Sequence, residues 1–216
     1  MDQRERPRAS VAVHAPARAF APGTRIALAR LGYHVITAEA AAQRSGDGSE
    51  RPLIRIVDDR ELESVPLEAS GDEIPLILLT GQRGPLGTDP RLVGSVRRRA
   101  NVNDLFALLQ RALERWPRSV PRIPAALPAR CIRGNHGWAA AIGSISEKGC
   151  LLLSTERFEP DGRIDLCFAL PRSGLMQLRA EPCYVNGKRA GLAFRDTSAR
   201  SRSAIAEYVS SWLTAP

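Results

Sequence analysis

Aromatic residues make up only 5% of this 216-residue chain, so its cores have to be built mainly from leucine, isoleucine, valine and alanine. Cysteine is sparse as well. Cys131, Cys150, Cys167 and Cys183 form no C-x-x-C pair and have no histidine at a ligand spacing. That excludes a zinc site, which needs clustered ligands. All four fall in apolar, strand-like segments and are expected to be small buried side chains rather than ligands or disulfide partners. His14, His34 and His136 are scattered and receive no role. No run of about eighteen apolar residues occurs, so a membrane span is not expected. Residues 1–8 are charged with no apolar stretch behind them, which argues against a targeting peptide and for a cytoplasmic protein.

What is present is a hydrophobic content of 44% and a charged content of 25%, the balance of a globular rather than a disordered chain. The length allows one large domain or two small ones. The net charge of +8 is unevenly spread. Residues 1–116 carry 17 basic and 15 acidic side chains, whereas residues 117–216 carry 14 and 8. Arginine supplies 29 of the 31 basic residues, and its abundance accounts for the total but not for the asymmetry. The second half is the one that would favour an anionic partner.

The first half alternates strand-like and helical patterns. Residues 10–14, 33–37, 53–57, 74–79 and 92–96 read as strands, residues 23–31 as a helix closed by Gly32, and residues 43–51 as loop. Residues 104–115 are amphipathic, with Leu105, Leu108, Leu109 and Leu113 on one face. Such alternation predicts a parallel sheet covered by helices. The glycine-rich stretch 81–87 lacks the Gly-Lys-Ser/Thr ending of a phosphate loop and reads as a connection.

Over residues 9–115 this order resembles the response-regulator receiver domain. Asp58 and Asp59 follow the third strand, Thr80 the fourth, and Arg98 stands about where the family places a lysine. The acidic pair expected after the first strand is replaced by His14 and Ala15. Phosphoryl transfer to a carboxylate needs a divalent cation, and without that pair the cation has lost most of its ligands. The expectation is a pseudo-receiver, with Asp58, Asp59 and Thr80 as polar groups capping strand ends.

Three prolines in residues 116–124 exclude a helix and mark an arm between two domains. Beyond it the period turns to alternation. Residues 129–133, 138–145, 149–154, 163–169, 176–183 and 190–194 read as strands, with turns at Glu159-Pro-Asp-Gly162 and Asn186-Gly187. Six short strands predict a small antiparallel barrel. A closing helix from about Ser198 carries Ile205, Tyr208, Val209, Trp212 and Leu213 as one stripe.

Arg118-Ser-Val-Pro-Arg122, Ser144-Ile-Ser-Glu-Lys-Gly149 and Gly191-Leu-Ala-Phe-Arg-Asp196 occur in the order of the PilZ domain motifs, and the region from about 118 to 213 resembles that family. The resemblance implies a non-enzymatic signalling effector that binds cyclic di-GMP and passes the signal to a protein partner in motility, attachment or polysaccharide control. It implies Arg118, Arg122, Ser144, Ser146 and Gly149 as ligand-binding residues, with no catalytic residue, metal or further cofactor. An arginine fork suits phosphate oxygens or guanine O6 and N7, and its face stacks on a base. Ser144 departs from the family's Asp or Asn, and a hydroxyl meets only part of guanine's N1 and N2 donor pattern, a loss of roughly 1–3 kcal/mol. The alternative is a ligand-independent docking module made of two degenerate domains. DNA is not an expected partner, because a recognition helix and a stacking platform are lacking. A homodimer stays open. The expected architecture is a receiver-like α/β domain (9–115), an arm (116–124) and a PilZ-like barrel with its C-terminal helix (125–216).

Overall fold

Strand β1 (Ser10–His14) opens a sheet completed by β2 (His34–Thr37), β3 (Ile54–Asp58), β4 (Leu76–Thr80) and β5 (Leu92–Arg97). The computed structural model describes residues 9–46, 51–65, 74–81, 89–159 and 162–215, so the expectations for 1–8, most of 81–87 and the Pro160–Asp161 part of one turn lie outside the described residues. The chain divides into two units, 1–119 and 120–216, and the division falls inside the stretch read as the arm.

In the first unit all strand pairs are parallel and the order is β2-β1-β3-β4-β5. That is the doubly wound order shared by flavodoxin and receiver domains. β3 and β4 are buried along their whole length, as strands with both faces covered must be. Helices α1 (Thr24–Arg30) and α3 (Val102–Leu113) pack on one another, and Leu28, Leu105, Phe106 and Leu109 join Ile54, Ile56, Ile77 and Leu79 in the main core. Asn101 caps α3 by accepting from the Asp104 N–H at 3.0 Å. Helix α2 (Ala38–Gly46) packs on β1 and β2, and Ala41 contributes to a small cluster with Ala12 and Ile36. This corrects the loop expected from residue 43. The run Ala38-Glu-Ala-Ala-Ala-Gln43 is made of strong helix formers, and their propensity carries the helix into the glycine and serine that follow.

In the second unit β6 (Ile123–Arg133), β7 (His136–Ser146), β8 (Gly149–Ser154), β9 (Ile164–Leu170), β10 (Gly174–Asn186) and β11 (Arg189–Arg195) close into an antiparallel barrel, in the order β10-β11-β8-β7-β6-β9. The inward set includes Ile123, Ile142, Ile145, Leu152, Ile164 and Leu166, each fully buried. β6 starts six residues earlier than alternation alone indicated, with Pro124 and Pro128 inside it. Both lie where β6 pairs with β7 alone, since pairing with β9 begins at Ala129, and a strand paired on one side is where a sheet tolerates proline. Helix α4 (Ala199–Thr214) buries Ile205, Val209 and Leu213 and packs against β6, β7 and β9.

The cysteine expectation needs a correction. Cys131 and Cys150 are buried, Cys167 is half-buried and Cys183 is exposed. Cys183 sits at a register shift between Pro182 and Tyr184, on the outward side of the alternation that buries Met176, Leu178 and Ala180. Burial pushes the Cys131 and Cys150 thiols up to about 12. Iodoacetamide at pH 8 is therefore expected to alkylate Cys183 and spare Cys131 and Cys150, checked by mass spectrometry of the peptides. Rapid labelling of Cys150 in the folded protein would contradict the burial.

Candidate functional site

The two-residue turn Glu147–Lys148 joins β7 to β8 and makes a corner. Ser146 pairs with Gly149 across it, and the Ser146 hydroxyl donates to the Gly149 carbonyl at 3.0 Å. Ser146 is buried, so this bond spends its proton inside the corner. Gly149 is required by close approach. A Cβ there would lie 2.1 Å from the Leu192 carbonyl oxygen of β11, a contact no side chain can make. The Phe194 N–H donates to the Lys148 carbonyl at 2.9 Å and extends the β8–β11 ladder to the turn itself.

Ser144 stands two residues before Ser146 at a register shift that leaves Gly143 as the extra residue. Ile142 and Ile145 point into the barrel, and the bulge turns Ser144 to the outer face opposite Leu151. On β6, Ile123 pairs with Ile145 and Pro124 with Ser144, so the register carries Arg122 to the Ser146 end of the hairpin. Arg122 is half-buried, its Nε is buried without a protein acceptor, and its charge reaches the Cys150 thiol. The structure thus gathers Arg122, Ser144, Ser146 and Gly149 at one corner. Arg118 falls in the first unit, where it is exposed and its backbone N–H donates to the Gln110 side-chain oxygen at 3.2 Å.

Cross-strand pairing extends the outer face beyond the sequence motif. One row runs Pro124, Ser144, Leu151, Gly191, Tyr184; another runs Ser146, Gly149, Ala193, Glu181. The Tyr184 ring packs against Gly191, where an added Cβ would sit 2.0 Å from a ring carbon, and 53% of Tyr184 is exposed. The second row ends on Glu181, whose carboxylate Arg163 and Arg195 bind at 2.9 and 2.8 Å, holding its pKa below the usual carboxylate range. The floor is made of small side chains, with an aromatic face at one side and Arg122 at the other. Sequence reasoning missed Tyr184 and Leu151. The available signal was Gly191 next to the Asn186-Gly187 turn, because a hairpin fixed there sets which residue faces Gly191.

The first unit has its own polar cluster. Arg98 donates through Nε and Nη2 to the Asp58 carboxylate at 3.0 and 2.7 Å, and its Nη2 also bonds Asp59. Arg60 N–H donates to Asp58 at 3.1 Å and Gly81 N–H to Asp59 at 3.0 Å. The Arg98 bonds hold the Asp58 carboxyl down at about 2. His14, at the end of β1, has its pKa lowered by burial and then by Arg55, and no acidic side chain takes its place. The strand ends therefore hold two carboxylates on an internal guanidinium. Among the described residues no group of three or more His, Cys, Asp or Glu side chains could hold a metal.

A closed six-stranded antiparallel barrel with a serine–glycine corner and a C-terminal helix packed on it defines a small β-barrel domain. Residues 115–211 match the family described as PilZ domain and form such a domain; the match covers a little under half of the chain. Solved structures similar to the chain include the PilZ domain with c-di-GMP of YcgR from Escherichia coli (13% identity, 44% of this chain and 91% of that one, TM-score 0.40). Others are the inhibitor of motility MotI/DgrA from Bacillus subtilis (16%, 44% and 49%, 0.39) and the PilZ domain of CeSA from a cellulose-synthesizing bacterium (14%, 43% and 97%, 0.36). The chain spans nearly all of the two isolated domains and about half of the longer protein. No curated protein matches it. Among the described residues no helix is long and apolar enough to cross a membrane.

Proposed function

We propose that the chain is a non-enzymatic signalling effector that binds cyclic di-GMP on the outer face of its PilZ barrel and passes the bound state to a protein partner. The observation that carries this reading is the half-buried Arg122, whose Nε is without a protein acceptor, beside the corner of Ser144, Ser146 and Gly149. Its planar fork suits a phosphate or the O6/N7 edge of guanine. Ser144 offers a hydroxyl on the same face, Ser146 and Gly149 hold the corner's shape, and Leu151, Gly191 and Tyr184 give a flat apolar surface for a base. Arg118, four residues earlier on the arm, is the second guanidinium of the motif, and a ligand held by both arginines would order the arm. That ordering carries a signal only if those contacts are made in one of the two states.

Titration calorimetry tests this. The wild type is expected to give saturable heat with cyclic di-GMP at tens of micromolar. Arg118→Ala with Arg122→Ala should weaken binding by about a hundredfold, and Ser144→Asp should tighten it by about tenfold. Absence of heat, or binding untouched by the double arginine variant, would sink the proposal. The second reading, a docking module without ligand, is favoured by Ser144 standing where a carboxylate is expected. It requires that the double arginine variant keep full activity in the cell.

A further inference from the structure

Strand β7 spans eleven residues, and His136 lies at the opposite end from Ser146, about 30 Å away at the rise of a strand. At that end a cleft of about 300 Å³ is lined by Arg133, His136, Trp138, Phe158 and the acidic residues Glu156 and Glu159, with Arg157 at its side. Its aromatic wall is fixed from several directions. The His136 ring stacks on Trp138 with centroids 5.4 Å and planes 23° apart, and Phe158 meets the same indole edge-on at 6.2 Å. The segment carrying Phe158 is tied down by the Phe158 N–H to the Gly187 carbonyl at 3.0 Å and by the Thr155 hydroxyl to the Ala139 carbonyl at 2.9 Å. His136 Nε2 lies 2.9 Å from a Glu156 oxygen and is held there.

Arg133 faces this wall from the end of β6, paired with His136 across the hairpin. Its Nη1 donates to Glu159 at 2.8 Å, while its Nε and Nη2 are buried with no protein acceptor. Buried donors left idle are costly, and the guanidinium's fork fits a carboxylate taken through two bonds. Glu159 satisfies it through one bond only. The Glu159 side chain is 81% exposed, so that pair is screened and easily broken. The chain's own carboxylate thus stands at the entrance as a weak substitute for a better one.

We propose that this cleft is a docking pocket for an acidic side chain of a protein partner. Arg133 grips the incoming carboxylate, Glu159 is displaced, and Trp138 with Phe158 receives the methylene stem. A volume at the bottom of the range for ligand pockets suits one side chain better than a whole cofactor. The positive excess of the second half favours an acidic segment. The proposal does not rest on the cyclic di-GMP reading, since the two places are at opposite ends of one strand.

The test uses the full chain and the indole N–H signal of Trp138 in nuclear magnetic resonance, assigned by its loss in Trp138→Phe. The probe is the blocked pentapeptide Ala-Leu-Glu-Leu-Ala, with its glutamine counterpart as control. A saturable shift at millimolar peptide is expected from the glutamate form alone. It should weaken by about tenfold in Arg133→Gln and strengthen by about threefold in Glu159→Gln, which removes the competing carboxylate. Equal shifts from both peptides would overturn the proposal, as would silence in both the wild type and Glu159→Gln. An equal shift from sodium acetate at the same concentration would overturn the peptide assignment in favour of a free carboxylate. The Glu159→Gln arm keeps the test decisive if Arg133→Gln fails to fold.

Discussion

Alanine at position 149 is expected to lower the unfolding free energy of the barrel by about 3 kcal/mol or more. The glycine is not there for its torsion angles, because its φ is not in the left-handed region. The cause is steric: the new methyl would fall 2.1 Å from the Leu192 carbonyl oxygen, and that oxygen belongs to backbone locked in the β8–β11 ladder. To admit the methyl the two strands must part, breaking ladder bonds at the corner. Gly143→Ala is the control, since its methyl would meet only side chains, Leu153 at 3.3 Å and Leu151 at 3.8 Å, and should cost less than about 1 kcal/mol. Guanidinium unfolding followed by tryptophan fluorescence reads both. A cost under about 1 kcal/mol for Gly149→Ala would refute the steric account.

The second large effect is expected from Arg98→Met, with a loss of about 3 kcal/mol at pH 7. Asp58 has a side chain only 3% exposed, and removing its guanidinium strands a charge in the interior. The pH dependence follows from the Asp58 carboxyl, held at about 2 against an ordinary 3.8. A group whose pKa is depressed by folding adds stability above its unfolded value. That contribution, about 2 kcal/mol, disappears as pH falls from about 4 through 2. Wild type and Arg98→Met should therefore converge in acid, and Arg98→Lys should recover part of the loss at pH 7. Urea unfolding followed by circular dichroism at pH 7 and 2.5 checks this. A gap that stays constant with pH would mean that Arg98 stabilises by packing rather than charge.

Strand positions were legible because burial on one or both faces imposes its period directly on residues such as Ile142 and Ile145. Gly149 and Ser146 were legible because a two-residue corner fixes a short spacing. The rest depends on contacts distant in sequence. Tyr184 comes to the site through β10–β11 register, and Arg98 closes on Asp58 across forty positions. Neither leaves a local pattern. Cys183 was expected inside because its segment is apolar, although the alternation that buries Met176, Leu178 and Ala180 puts it outside. Helix α2 has no reading in the sequence because the glycines and serines after it mark a loop that begins only beyond its helix-forming run. The arm was read as one piece, whereas Arg118 belongs with Gln110 of the first unit and Ile123 already begins the barrel.

Closure of the barrel leaves each of its strands with two neighbours, so backbone paired on one side only is confined to strand ends such as the start of β6. Recognition of the second unit therefore falls mainly to its side chains. The first unit is different, because its sheet is open and, among the described residues, ends on β2 and β5. β2 is only four residues long, and β5 ends on the exposed Arg97, with Arg99 exposed two residues on. Brevity at one margin and positive charge at the other discourage self-association there. A partner that adds a strand to this protein would do so at the β5 margin and would need to bring negative charge with it.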